Sequence, residues 1–131
     1  MDNNKIYIFV YGSLKRGKES YSLIKTCEYV GKGYINGILY DLCVGFPAAV
    51  ETEYKSKVYG EVYIANKDIL DLIDEFEDYK EDDIEESVYY RKEVEVSLES
   101  PKKEKLTVYA YFVTEERLAE FFAIEVKKGI W

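Results

Sequence analysis

The chain has 131 residues, of which 34% are charged and 47% hydrophobic, and its formal net charge is −8. This length is typical of one domain, and we expect residues 1–131 to fold around a single core. The negative charge argues against a nucleic-acid partner and against an anionic membrane surface, since both require a basic face. No apolar run approaches the roughly 20 residues of a membrane-spanning helix. The polar N-terminus lacks a signal-peptide pattern, so we expect a cytoplasmic protein.

The residue types that are absent or rare narrow the chemistry. The sequence has no histidine, which excludes Ser-His-Asp and Cys-His catalysis and histidine-ligated metal sites. Acid–base chemistry must therefore use Glu, Asp, Lys, Tyr or Cys. The two cysteines, Cys27 and Cys43, are predicted to be free core thiols and not a disulfide. Tyrosine is unusually frequent, with 14 residues, which is typical of half-buried strands and cleft walls.

The chain begins with strand signals. Residues 6–11 are apolar on both faces, which predicts a strand that is covered on both sides. Residues 17–28 carry a thin apolar pattern that predicts a short helix. A further strand is predicted over 34–42, weakened or bent at Gly37 because glycine has no side chain to pack.

The middle of the chain predicts a turn, two strands and a helix. The turn lies at 45–47, where proline disfavours helix in the preceding residue. It leads into a short strand over 48–50, and the alternation over 58–64 predicts another strand. Asn66 is a favourable N-cap for a helix that runs to about residue 76 or 77.

The last third predicts a hairpin and a helix. The acidic stretch 77–86 is interpreted as an exposed loop, with a lid over a site as the alternative. Strands over 88–98 and 106–113 form a hairpin, and a helix is predicted over 115–127. The element order is not a regular βαβ alternation, so the sequence predicts an α+β domain and not a doubly wound parallel sheet.

The turn Tyr11-Gly12-Ser13-Leu14, at the end of the first strand, is the first candidate site. Glycine frees the backbone to direct successive N–H groups at one point, which suits a carboxylate or a developing oxyanion. A plain tight turn is the alternative. Gly12 together with Gly17-Lys18 nearly completes a phosphate-binding loop, but Glu19 occupies the position that requires Ser or Thr. The sequence therefore disfavours nucleotide binding here.

Glu77 is the second candidate, because of its position around the predicted helix at about 100° per residue. The apolar arc comprises Ile69, Leu70, Leu72, Ile73 and Phe76, and Glu77 falls between Ile73 and Leu70. The acids on the opposite side are Asp68, Asp71, Asp74 and Glu75. Glu77 falls inside the apolar arc, where burial would raise its pKa towards a value useful for proton transfer. If the helix instead ends at Phe76, Glu77 is released to water, and the sequence leaves both possibilities open.

Several segments match a known family in order and spacing. They are Val10–Gly17, Gly37–Leu42, Phe46–Ala48, Val58–Tyr63, Leu72–Glu77, Tyr90-Arg91, Glu93–Val96 and Val108–Tyr111. Together they resemble the γ-glutamyl cyclotransferase-like superfamily, which includes γ-glutamylamine cyclotransferases and plant AIG2-like proteins. The resemblance extends from about residue 6 to 113.

The resemblance implies a compact mixed β-barrel with flanking helices. It implies an enzyme that cyclises a small-molecule γ-glutamyl amine, or a related γ-glutamyl compound, to 5-oxoproline and releases the amine, with no metal or cofactor. It assigns the general acid/base role to Glu77 and the holding of the glutamyl group to Tyr11, Gly12, Ser13 and Leu14.

Three points remain open beside this assignment. Tyr90 is predicted to supply a hydroxyl to the cleft, with ordinary strand surface as the alternative. Asp78 occupies a position where the family usually has glycine, and its charge is expected to raise the pKa of Glu77 and disfavour anionic substrates. A non-catalytic small-molecule-binding or regulatory domain on the same fold is the alternative function. The sequence predicts no oligomeric state.

Overall fold

A computed structural model of the protein describes residues 5–12, 14–18, 20–53, 56–79 and 88–131. The strands are Ile6–Val10 (β1), Glu28–Asn36 (β2), Ile38–Asp41 (β3), Pro47–Val50 (β4), Lys57–Ala65 (β5), Tyr90–Ser100 (β6), Glu104–Phe112 (β7) and Ile124–Glu125 (β8). The helices are Lys67–Phe76 (α1) and Glu115–Leu118 (α2), with a 3₁₀ turn at Tyr21–Leu23. No helix among these residues is long and apolar enough to cross a bilayer.

Five strands form a closed barrel in the order β1-β5-β2-β6-β7. The ladders within it are antiparallel except where β1 runs parallel to β7, with Ile8 opposite Tyr109, and closes the barrel. A second, antiparallel sheet has the order β4-β3-β8. The predicted α+β class and mixed β-barrel are therefore confirmed.

The period-2 pattern of β1 places its side chains in two apolar clusters. Ile8 and Val10 pack in one cluster with Leu70 and Ile73 of α1. Phe9 and the following Tyr11 pack in the other cluster, with residues of β5, β6 and β7. Successive side chains of a strand point to opposite faces, so the continuous apolar run correctly predicts a strand covered on both sides.

The helix α1 begins as its sequence predicts. The side-chain oxygen of Asn66 accepts a hydrogen bond from the Ile69 backbone N–H at 2.9 Å, which satisfies one of the unpaired donors of the first turn. Leu70 and Ile73 are the buried residues of this helix, whereas Leu72 and Phe76 are 48% and 44% exposed. Only the Leu70–Ile73 side of the predicted apolar arc therefore faces the barrel.

The predicted helices at 17–28 and 115–127 are wrong in extent. The first contains only the 3₁₀ turn before the chain enters β2 at Glu28. The second ends at Leu118, and Ile124–Glu125 instead pairs with β3. The Val126 N–H also donates to the Leu39 carbonyl at 2.8 Å. Backbone hydrogen bonds to a distant strand thus override a local helical pattern.

Other predictions are partly corrected. The strand predicted over 34–42 is two strands divided at Gly37, and the first of them begins earlier, at Glu28. Both cysteines are free, as predicted, but Cys43 is exposed on a turn and is not a core residue. Its φ of 61° places it in the left-handed region between β3 and β4. Residues 80–87 of the predicted acidic loop lie outside the described residues.

Candidate active site

A pocket of about 510 Å³ opens beside the end of β1. Its described lining residues come from β1 and the following segment, the loop before β4 and the start of β4, the end of α1, the two residues before β6, and β7. They are Phe9, Val10, Tyr11, Gly12, Leu14, Ser20, Gly45, Phe46, Pro47, Phe76, Glu77, Asp78, Val88, Tyr89 and Tyr111. Four of the predicted site residues, Tyr11, Gly12, Leu14 and Glu77, therefore line one pocket. Ser13 lies outside the described residues.

A close approach to Pro47 favours glycine at position 12. A β-carbon at this position would lie 3.0 Å from Cγ and 3.1 Å from Cδ of Pro47, tighter than ordinary van der Waals contact. The Gly12 carbonyl accepts a hydrogen bond from the Lys15 N–H at 3.1 Å. The hydrogen bonds among the described residues do not use the N–H groups of Gly12 or Leu14, and both residues line the pocket.

The Tyr11 hydroxyl has a structural role. It donates to the Tyr111 carbonyl at 2.7 Å and accepts from the Ala49 N–H at 3.0 Å. Both bonds are buried, so a single side chain joins the turn to β4 and β7. The Tyr11 ring, and not its hydroxyl, is therefore what this residue offers to the pocket.

Glu61 is a site-supporting residue that sequence reasoning missed. It lies in β5 with only 8% of its surface exposed. Its Oε1 accepts hydrogen bonds from the Arg16 N–H at 2.8 Å and from the Tyr63 hydroxyl at 3.0 Å. An acid in an otherwise apolar strand was the available signal, because a buried carboxylate requires such donors. Its partners fix the segment that follows the Tyr11–Leu14 turn.

That segment does not build a phosphate-binding loop. A phosphate-binding loop leads directly into a helix whose N-terminus faces the phosphate. Here the next element is only the 3₁₀ turn Tyr21–Leu23. Together with Glu19 in place of Ser or Thr, this removes the nucleotide interpretation.

Glu77 keeps the helical geometry although α1 ends one residue before it. Its N–H donates to the Ile73 carbonyl at 2.8 Å, in the helical i→i−4 pattern. The side chain therefore stays on the face that the helical periodicity predicts, and it lines the pocket. The alternative in which Glu77 is released to bulk water is not what the structure has.

Asp78 supplies the residue that terminates the helix. Its φ of 53° is in the left-handed region. Its N–H donates to the Glu75 carbonyl at 3.1 Å, and the Tyr79 N–H donates to the Asp74 carbonyl at 2.8 Å. These are the two bonds of a Schellman motif, in which the left-handed residue is usually glycine and sometimes a short polar residue. Asp78 therefore meets a backbone requirement that glycine would meet without strain.

Burial raises the pKa of Glu77 from an ordinary value of 4.5 to about 8. The pocket surrounds the carboxyl with aromatic and aliphatic side chains, which solvate a charge poorly. Burial is the cause of this shift, and the pKa of Glu77 does not show the contribution that we expected from Asp78.

A carboxyl group with this pKa is present in both protonation states near neutral pH. It can therefore accept a proton and return it within one reaction, which is the requirement for a general acid/base. Gly12 and Leu14 line the same pocket, and backbone N–H groups of such a turn can hold an anionic group. Among the described residues, no group of three or more His, Cys, Asp or Glu side chains is arranged to hold a metal ion.

The comparisons with known proteins show the family to which the chain belongs. A family model described as gamma-glutamyl cyclotransferase, AIG2-like, matches residues 8–131. The chain belongs to this family. A Methanocaldococcus jannaschii protein provisionally named as a gamma-glutamylcyclotransferase is 32% identical over 114 residues, which cover 80% of this chain and 83% of that protein.

Solved structures share the cyclotransferase-family fold. An AIG2-like protein from Mus musculus aligns with a TM-score of 0.71 and 24% identity, over 85% of this chain and 78% of the mouse chain. YkqA from Bacillus subtilis aligns with a TM-score of 0.72 and 21% identity, over 97% of this chain. This chain spans 39% of the length of YkqA. At these identities the likeness concerns the fold alone.

The structure does not bring Tyr90 into the pocket of this family member. Its hydroxyl donates to Glu51 Oε1 at 2.5 Å on the other side of the strand. The neighbouring Tyr89 lines the pocket instead and donates to the Pro47 carbonyl at 2.6 Å. Adjacent residues of an extended chain point to opposite sides, so the prediction was displaced by one residue.

Arg91 is a fixed cation, but it faces α1 and not the pocket. Its guanidinium donates to Asp74 Oδ2 at 2.5 Å, and both side chains are largely buried. The Tyr111 hydroxyl donates to the other Asp74 oxygen, while the Tyr111 ring lines the pocket. This network attaches the last turn of α1, and hence Glu77, to β6 and β7.

Proposed function

We propose that this pocket cyclises a γ-glutamyl amine or a related γ-glutamyl compound, yielding 5-oxoproline and a free amine. The observation that carries the proposal is the carboxyl of Glu77, whose pKa is raised to about 8, in the same pocket as Gly12 and Leu14. Membership of the cyclotransferase family supports the same reaction.

Glu77 is proposed as the general acid/base. The α-amine of the substrate attacks its own γ-carbonyl carbon, a C–N bond forms, and the original amide C–N bond breaks. Glu77 takes a proton from the attacking amine and delivers it to the leaving nitrogen. An α-amino group titrates near 8, so the donor and the acceptor are closely matched. Because the reaction is intramolecular, orientation supplies much of the rate, and no metal or cofactor is required.

The turn Tyr11-Gly12-Ser13-Leu14 is proposed to hold the glutamyl group. The Gly12 and Leu14 N–H groups are suited to the α-carboxylate or to the oxyanion that develops on the γ-carbonyl oxygen. Ser13 belongs to the same segment and is included in this proposal. Tyr11 contributes its ring and fixes the turn through its buried hydroxyl.

The proposal is tested by measuring 5-oxoproline release from a panel of γ-glutamyl amides by mass spectrometry. Wild type should turn over at least one member, and Glu77→Gln should lose about 100-fold or more in kcat. The matched control is Glu75→Gln on the exposed side of the same helix, which should retain activity. A Glu77→Gln protein as active as wild type would refute the general acid/base assignment. Binding of panel members without turnover would favour the non-catalytic binding domain.

A further inference from the structure

The pocket has a buried floor and an exposed aromatic rim. The floor consists of buried side chains, among them Tyr11, Leu14 and Tyr89. Phe46 and Phe76 line the same pocket, yet 38% and 44% of their surfaces are exposed. Large exposed aromatic side chains at a pocket mouth are typical of a binding surface. Binding of a glutamyl group at the buried floor does not account for these two exposed aromatic side chains.

We propose that this rim binds the leaving group, and that the protein favours γ-glutamyl amides of apolar, carboxylate-free amines, above all arylalkyl amines. This inference rests on the proposed function and specifies its substrate class. Phe46 and Phe76 are assigned as the residues that contact the amine, and Asp78 as the residue that discriminates against an anionic leaving group.

The volume of the pocket supports a second subsite. About 510 Å³ corresponds to roughly 17 water molecules at about 30 Å³ each. A γ-glutamyl group has fewer non-hydrogen atoms than this, and bonded atoms occupy less space than separate waters. A glutamyl group next to Glu77 and the Gly12–Leu14 donors therefore leaves a substantial part of the pocket unfilled. The remaining space extends towards solvent, where the leaving amine departs.

The two phenylalanines are supplied by different elements. Phe46 is held between Gly45, whose φ of 99° favours glycine, and Pro47, the first residue of β4. Phe76 is the last residue of α1, directly before Glu77. A ligand that contacts both rings removes apolar surface from water on two sides, which favours an apolar and preferably aromatic group.

Asp78 supplies the charge discrimination. It lines the pocket, its side chain is exposed, and its backbone is fixed by the Schellman bonds that end α1. A carboxylate on the leaving group would approach both Asp78 and ionised Glu77, and like charges so placed disfavour binding. A γ-glutamyl amino acid carries such a carboxylate, whereas the corresponding amine does not.

The test uses three substrates that differ in one feature at a time: γ-glutamyl-phenethylamide, γ-glutamyl-phenylalanine and γ-glutamyl-methylamide. We expect kcat/KM for the phenethylamide to exceed that for each of the other two by about tenfold or more. Phe46→Ala and Phe76→Ala should each reduce the phenethylamide-to-methylamide ratio by about tenfold. Asp78→Asn should narrow the gap between the phenethylamide and the phenylalanine compound. Phe122→Ala, at a side chain that is 93% exposed and lies outside the pocket lining, is the matched control.

The outcomes separate the inference from the function on which it rests. Turnover of all three substrates with ratios near one would overturn the leaving-group subsite and leave the cyclotransferase function intact. Equal ratios in wild type and in both phenylalanine variants would overturn the assignment of Phe46 and Phe76. Release of 5-oxoproline from none of the three, nor from any member of the wider panel, would refute the proposed function itself.

Discussion

Glu77 is predicted to cost the folded protein stability at neutral and alkaline pH. In the unfolded chain its carboxyl ionises near 4.5, whereas in the folded protein the pKa is about 8. The folded state therefore holds a proton that the unfolded state releases. The contribution of this group to stability is complete below pH 4.5 and is lost as pH rises to about 8. Glu77→Gln, which cannot ionise, should escape this loss.

The magnitude follows from the pKa difference. From 4.5 to about 8 is about 3.5, which at 1.36 kcal/mol per pKa unit gives an upper limit of about 5 kcal/mol. Part of the Glu77 surface is accessible through the pocket, and water there stabilises the charged form. We therefore expect Glu77→Gln to be more stable than wild type by about 2–3 kcal/mol near pH 8.5, and by close to zero near pH 4.5.

Urea unfolding of wild type, Glu77→Gln and Glu75→Gln across this pH range measures the effect. The difference between wild type and Glu77→Gln isolates one carboxyl, because all other titrating groups are shared. Any packing change caused by the glutamine amide at position 77 is independent of pH, so it shifts the difference in the free energy of unfolding by a constant. Glu75 is exposed, so the difference in the free energy of unfolding between wild type and the control Glu75→Gln should not change with pH. A wild type and a Glu77→Gln protein with parallel stability–pH curves would refute the buried, pKa-shifted carboxyl.

Three further predictions follow from the same region. The kcat/KM for 5-oxoproline release should rise between about pH 7 and pH 9 with an apparent pKa near 8, because only ionised Glu77 accepts a proton; a flat profile would contradict this. Asp78→Gly should raise the free energy of unfolding by about 0.5–1 kcal/mol, since only glycine is unstrained at a φ of 53°. Asp78→Ala should not raise it, and the midpoints of urea unfolding of the two variants test this difference. Asp74→Asn should lower the free energy of unfolding by about 3 kcal/mol, because Arg91 loses its buried partner. Asp71→Asn, which removes one partner of an exposed ion pair, should change the free energy of unfolding by less than about 1 kcal/mol.

The features that the sequence predicted well depend on neighbours within a few residues. The Asn66 cap, the inward face of α1 and the strand 6–11 follow from local hydrogen bonding and from periods of 3.6 and 2. The extent of the last helix could not be predicted in this way. Ile124–Glu125 is extended because β3 lies beside it in space, and a pattern within the segment does not contain that information.

The residues of the candidate site also differ in whether neighbours along the chain or distant residues determine their positions. Glycine at position 12 and an acid on the apolar face of a helix at position 77 are readable from the sequence. Tyr89 replaced Tyr90 because the face that β6 presents depends on how the strand enters the barrel. Glu61 was missed because the Arg16 N–H, which links it to the segment after the turn, is distant in sequence.

The sequence by itself indicated the Tyr11–Leu14 turn and the direction that Glu77 faces if the helical geometry extends to it, because spacing along the chain controls both. Only the tertiary structure brought them to one pocket, since barrel closure by β1 and β7 and the docking of α1 are long-range contacts. The shifted pKa of Glu77 has the same origin. Desolvation depends on what the surrounding chain packs around a carboxyl, and residues distant in sequence supply most of that packing.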